Sequence, residues 1–139
     1  MDVVVSRSLV VVIGGVLFVA GSAKLARHSY FLASILSWSA FTPRQARALS
    51  WALPEFEVLL GSWSIGQVLM QGRPYLAALA GIQAALFVGF TGMQVVILRH
   101  TAAADCGCLG TRSEMGAASL GRSGLLALAA AAALIVAVI

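Results

Sequence analysis

The chain has 139 residues, 60% of them hydrophobic and only 10% charged, with a mean hydropathy of +0.97. A soluble domain of this length does not need that much apolar surface, so a soluble globule is excluded and a membrane protein is expected. The formal charge of +4 and pI near 9.8 do not indicate nucleic acid. The nine Lys and Arg are scattered at the ends of apolar runs, where they read as headgroup contacts and topology signals.

Apolar runs of about 20 residues mark membrane helices, and four such runs predict an all-α, single-domain bundle over residues 1–139. The first span runs from Val3 to about Leu25, with small surfaces at Gly14-Gly15 and Gly21-Ser22-Ala23 where another helix can approach. A cleaved signal peptide is the competing reading, but Lys24 follows at once and the rest of the chain is again membrane protein in character. Lys24 and Arg27 are expected to snorkel to the interface. Between His28 and Ser50 the composition is mixed, with Tyr30, Phe31, Trp38 and Phe41, which predicts an interfacial segment. Thr42-Pro43-Arg44-Gln45 has the form of a capping box with Pro at the first helical position, so a helix starts there with Arg44 and Arg47 on its exposed side.

The second span covers about Trp51 to Met70, with Pro54 expected to kink or restart it. Glu55 can be satisfied near the aqueous boundary, whereas Glu57 lies further in. An ionisable group in the apolar zone marks a site or a partner, so a functional role and a structural ion pair stand side by side for Glu57. Gly61 and Gly66 offer further packing surfaces. After the turn Gln71-Gly72-Arg73-Pro74, the third span runs from about Tyr75 to Leu98, and Gln83 and Gln94 share one face as ligand donors or as interhelical glue. A polar connection from Arg99 to Ser119 leads to the fourth span, Leu125 to Ile139, with Arg122 at its entrance and a second capping box at Thr111-Arg112-Ser113-Glu114.

That connection holds Asp105-Cys106-Gly107-Cys108-Leu109-Gly110, with both cysteines of the chain. A disulfide needs Cα atoms within about 4.4–6.8 Å and facing Cβ atoms, which residues i and i+2 do not offer in regular structure. Gly107 can take φ > 0 and fold the sulfurs together. The resulting bridge is strained, hence easily reduced. It would close almost no loop, so it is a poor structural staple. A redox pair, a soft-metal site and two inert thiols are the three readings. A helix N-terminus just beyond Cys108, with Arg112 beside it, favours the thiolate. In a four-span chain, Lys24, Glu57, Arg99, Arg122 and the cysteines fall in one half of the bundle. A Lys24–Glu57 pairing under the thiols is then expected.

These features together resemble the MauE family of the MauE/DoxX-like redox-associated membrane proteins. The matching residues are Gly21-Ser22-Ala23-Lys24, Leu53-Pro54-Glu55-Phe56-Glu57 with Gly61, and Cys106-Gly107-Cys108-Leu109-Gly110, Leu109 standing where the family usually has Phe. The resemblance implies a four-helix protein of the bacterial plasma membrane that supports disulfide formation or electron transfer for maturation of an exported client such as methylamine dehydrogenase. By a fold-level analogy with vitamin K epoxide reductase, Cys106 and Cys108 would exchange with a thioredoxin-like partner. A quinone would reoxidise them, with Glu57, Lys24 and Arg122 shaping its pocket. No metal is expected on this reading. Its alternatives are a copper-type binding or transport protein and a non-enzymatic assembly subunit, and homodimerisation through the glycine-rich faces is open.

Sidedness sets two rules against each other. Seven Lys and Arg lie on the cysteine side and two on the other, which places the cysteines in the cytoplasm. Disulfide formation favours the oxidising exterior, and the expectation follows the exterior.

Overall fold

In the computed structural model, residues 2–67, 73–100 and 117–138 are described. They form five helices: α1 (Asp2–Ala26), α2 (His28–Ser37), α3 (Pro43–Gly66), α4 (Arg73–His100) and α5 (Ala117–Val138). No strand occurs among the described residues. Among the described residues, three segments are long and apolar enough to cross a membrane: Val4–Ala26, Tyr75–Arg99 and Leu120–Val138. The shortest has 19 residues, about 28 Å of helix at 1.5 Å per residue, close to the thickness of a bilayer's hydrocarbon core.

The expected second span differs. Up to Gly66 its residues belong to α3, which starts at Pro43 and passes Pro54 without a break; residues 68–70 of that expected span lie outside the described residues. With Arg44, Arg47, Glu55 and Glu57 in one helix, α3 is not among the three segments apolar enough to cross. The helix does begin where its capping box predicts. Thr42 Oγ1 accepts from the Gln45 backbone N–H at 3.3 Å, and the Gln45 side chain accepts from the Thr42 N–H at 3.0 Å. Two orphan amide groups are thereby satisfied. Arg44 and Arg47 are exposed, as expected. The second capping box, at 111–114, lies outside the described residues.

The segment after the first span is the short helix α2, separated from α1 by Arg27 alone. The Arg27 carbonyl accepts from both Tyr30 N and Phe31 N. Phe31 and Ile35 are buried in a cluster with Trp38, Ala46 and Ile97, which seats α2 beneath α3 and the end of α4.

Pairwise contacts set the directions of the long helices. Gly14 faces Ser64 and Gly61, while Gly21 faces Pro54 and Glu57, so α1 and α3 are antiparallel. Gln94 bonds Ser123, and Gly81 faces Leu134, so α4 and α5 are antiparallel. Gln83 reaches the Val10 carbonyl and Lys24 lies near Phe90, so α4 runs with α1. The shared core is made by Val10, Ile13 and Leu17 with Leu60, Leu79, Phe87, Ala130 and Ala133. Large apolar side chains such as Val12, Leu59, Val88 and Leu128 cover the outside, a surface suited to lipid rather than water.

The α1–α3 seam is the tightest in the bundle. A Cβ at Gly61 would stand 2.6 Å from the Gly14 carbonyl oxygen and 2.7 Å from the Phe18 nitrogen. One at Gly21 would stand 2.8 Å from the Pro54 carbonyl oxygen. Small residues let the two backbones touch, the usual basis of helix association where no water is present to drive it. Gly21 thus leaves room at the turn where Pro54 cannot donate to the carbonyl four residues before it. Gly15 and Gly66, expected to serve in packing, have open space around them.

Candidate functional site

At the end of this seam Lys24 from α1 meets Glu57 from α3. The ammonium lies 2.6 Å from each carboxylate oxygen, and the residues are only 1% and 3% exposed. Lys24 therefore does not snorkel outward as expected, because Glu57 holds its ammonium inside the bundle. Burying two ions costs several kcal/mol per ion even after relaxation, and close contact with both oxygens is the geometry that offsets it. The helix path explains the meeting: Gly21 lets α3 approach, and Lys24 follows one turn later at the level of Glu57.

Two rings complete the surroundings. The Lys24 nitrogen lies 5.4 Å from the Phe31 ring centre and 5.2 Å from that of Phe90, within the range at which a ring's quadrupole attracts a cation. An ammonium has three N–H donors; two face Glu57, and the third has no acceptor among the described residues. The site therefore offers one hydrogen-bond donor between aromatic walls. Phe31 is visible in the sequence only as one aromatic of a mixed segment, seven residues beyond Lys24. Phe90, brought in by α4, carries no sequence signal that links it to Lys24.

One turn outward, His28 stacks on Trp51 with ring centres 4.0 Å apart and lies 3.0 Å from Ser50 Oγ through its Nε2. Ser50 donates its own proton to the Arg47 carbonyl at 2.8 Å. The His28–Ser50 hydrogen bond ties the start of α2 to α3. On the α4–α5 side, Ser123 donates to Gln94 Oε1 at 2.9 Å. Gln83, also fully buried, donates to Ser64 Oγ and the Val10 carbonyl at 2.9 and 3.2 Å. Of the two roles open to these glutamines, the contacts shown are those of interhelical glue.

Arg122 stands apart from the pair. It is exposed, its Nε donates to the Ala118 carbonyl of its own helix at 3.3 Å, and no hydrogen bond or ion pair among the described residues joins it to Lys24 or Glu57. Cys106 and Cys108 lie outside the described residues. The helix ends that flank their segment, His100 of α4 and Ala117 of α5, belong to the Lys24–Glu57 end of the bundle, since Phe90 approaches Lys24 and Gln94 bonds Ser123.

No curated protein and no solved structure matches the chain. The family model for methylamine utilisation protein MauE matches residues 2–136, a region that includes the first two candidate membrane-crossing segments, all but the last two residues of the third, the buried pair and the Cys-Gly-Cys motif. With nearly its whole length matched, the chain is a membrane protein belonging to the MauE family, which is linked to methylamine utilisation.

Proposed function

We propose that this protein is a membrane thiol–disulfide redox protein whose Cys106–Cys108 pair takes electrons from a thioredoxin-like partner and passes them to a quinone, in support of an exported client's maturation. The observation that carries the reading is the buried Lys24–Glu57 pair between Phe31 and Phe90, at the bundle end where the cysteine-bearing connection leaves α4 and enters α5. Reach supports it. Six residues separate Cys106 from His100, a number that can reach at most about 20 Å, against about 15 Å along α4 from His100 back to Phe90.

Exchange proceeds through thiolate attack. A partner thiolate attacks one sulfur of the Cys106–Cys108 disulfide and forms a mixed disulfide, releasing the other cysteine as thiolate. The partner's second thiolate then breaks the mixed bond, so the partner leaves oxidised and Cys106 and Cys108 are left as a dithiol. A quinone, when bound, supplies the acceptor of two electrons and two protons that restores the disulfide. The donor chemistry would suit such a group, since the remaining Lys24 N–H would meet a carbonyl oxygen and Phe31 and Phe90 a flat apolar ring. Lys24 and Phe31 are buried in the packed bundle, however, so a quinone would have to open this end of it. Glu57 fixes the ammonium in place and balances its charge.

On this reading α3 is the fourth crossing helix. Its most buried charge, Glu57, is neutralised by Lys24, and Arg44 and Arg47 lie in its first turns, which leaves Glu55 as the one further charge near its middle. The cysteine segment then faces the extracytoplasmic side, where client disulfides form. Replacing either cysteine, Cys106→Ser or Cys108→Ser, is expected to abolish maturation of a disulfide-bonded client while the protein still accumulates in the membrane. Unchanged client disulfides in both variants would refute the reading.

A further inference from the structure

Glu55 and Arg122 are opposite charges with no ion-pair partner among the described residues, where the one ion pair is Lys24–Glu57. Glu55 lies on the exposed face of α3, between the exposed side chains of Trp51 and Leu59 one turn to either side. Arg122 lies on the exposed face of α5, with Leu125 beside it exposed as well.

Both charges sit at one level of the bundle. Glu55 is two residues from Glu57, which holds Lys24. Arg122 adjoins Ser123, which bonds Gln94, about one turn along α4 from the Phe90 that faces Lys24. Both α3 and α5 pack on α1, with no substantial contact between them, so the two charges belong to different flanks. A short carboxylate cannot snorkel as a long cationic side chain does, and a charge beside lipid is expensive unless paired. Moreover, among the described residues α3 is the one long helix not apolar enough to cross alone; it packs chiefly on α1 and α2 and meets α4 through Ser64 and Gln83.

We propose that the outer face of α3 docks the outer face of α5 from a second copy of this chain, with Glu55 of one copy pairing with Arg122 of the next. Copies inserted with the same orientation hold the two charges at matching depth. The contact is heterologous, so repetition gives a closed ring or an open row.

Charge reversal tests it in the full chain, by native mass spectrometry from lipid nanodiscs or by counting fluorophore bleaching steps in bilayers. The wild type is expected to be oligomeric, while Glu55→Arg alone and Arg122→Glu alone are expected to be monomeric. Carrying both reversals in one chain puts opposite charges back on the two faces, so the double variant is expected to assemble again. Mixing the two single variants is also expected to restore assembly, since each then offers the charge the other lacks. The milder Glu55→Gln variant, expected to weaken assembly without introducing repulsion, covers the case in which a reversal fails to insert. A monomeric wild type, single reversals that stay oligomeric, or a mixture that fails to assemble from folded variants would overturn the proposal. So would Glu55→Gln that assembles as the wild type does, an outcome that would leave Glu55 as a contact for lipid amine headgroups.

Discussion

The two antiparallel seams of the bundle hold together by different means. Between α1 and α3, three glycines bring backbone onto backbone and an ion pair closes the end. Between α4 and α5, alanine and leucine side chains do the packing, and Gly89, Gly92, Gly121 and Gly124 have nothing within 4 Å of where a Cβ would be. Glycine is plentiful in both pairs, yet only the first is built around it. The first seam should therefore tolerate almost no change, and the second should tolerate many.

The strongest way to break this contrast is at the pair itself. Lys24→Met leaves Glu57 buried without its cation, a loss of about 3–5 kcal/mol. Lys24→Met with Glu57→Leu is expected to recover most of that loss, because two apolar side chains leave no charge to desolvate. Unfolding in mixed micelles by denaturing detergent measures both, and a neutral single variant would mean that the ions are hydrated. Next comes Gly61→Ala, where the added methyl meets the Gly14 and Phe18 backbones. Overpacking of that kind costs about 1–3 kcal/mol, and the same assay is expected to show it.

Smaller effects belong to the second seam. Ser123→Ala removes the hydrogen bond to Gln94, worth about 0.6 kcal/mol between membrane helices, and is expected to shift the unfolding midpoint only slightly. Gly92→Ala has open space for its methyl and relieves the backbone entropy of glycine in a helix, a gain of up to about 1 kcal/mol. A destabilised Gly92→Ala beside a tolerated Gly61→Ala would reverse the contrast.

Structure set by near neighbours in the chain is the part that reads most directly from the residues. Thr42 and Gln45 announce a capping box that forms as spelled, and the parity of the apolar runs brings Lys24 to Glu57. What was not legible depends on neighbours distant in the chain. Pro54 reads as a helix breaker, but α3 passes through it where Gly21 of another helix makes room. Gly14 and Gly15 are indistinguishable in sequence, and only the helix rotation decides that Gly14 touches α3. Phe90 becomes part of the site because α4 runs alongside α1, which no spacing in the sequence encodes.

The link between the buried pair and the cysteines is open to one direct measurement. Thiol trapping of Cys106 and Cys108 in membrane-embedded protein, after reduction and addition of a quinone, would compare the wild type with the Lys24→Met, Glu57→Leu double variant. If the pair shapes the acceptor site, quinone restores the disulfide in the wild type and fails to do so in the double variant, while a small-molecule oxidant still closes the bridge in both. Equal reoxidation by quinone in the two proteins would contradict that role and leave the Lys24–Glu57 pair a structural clasp alone.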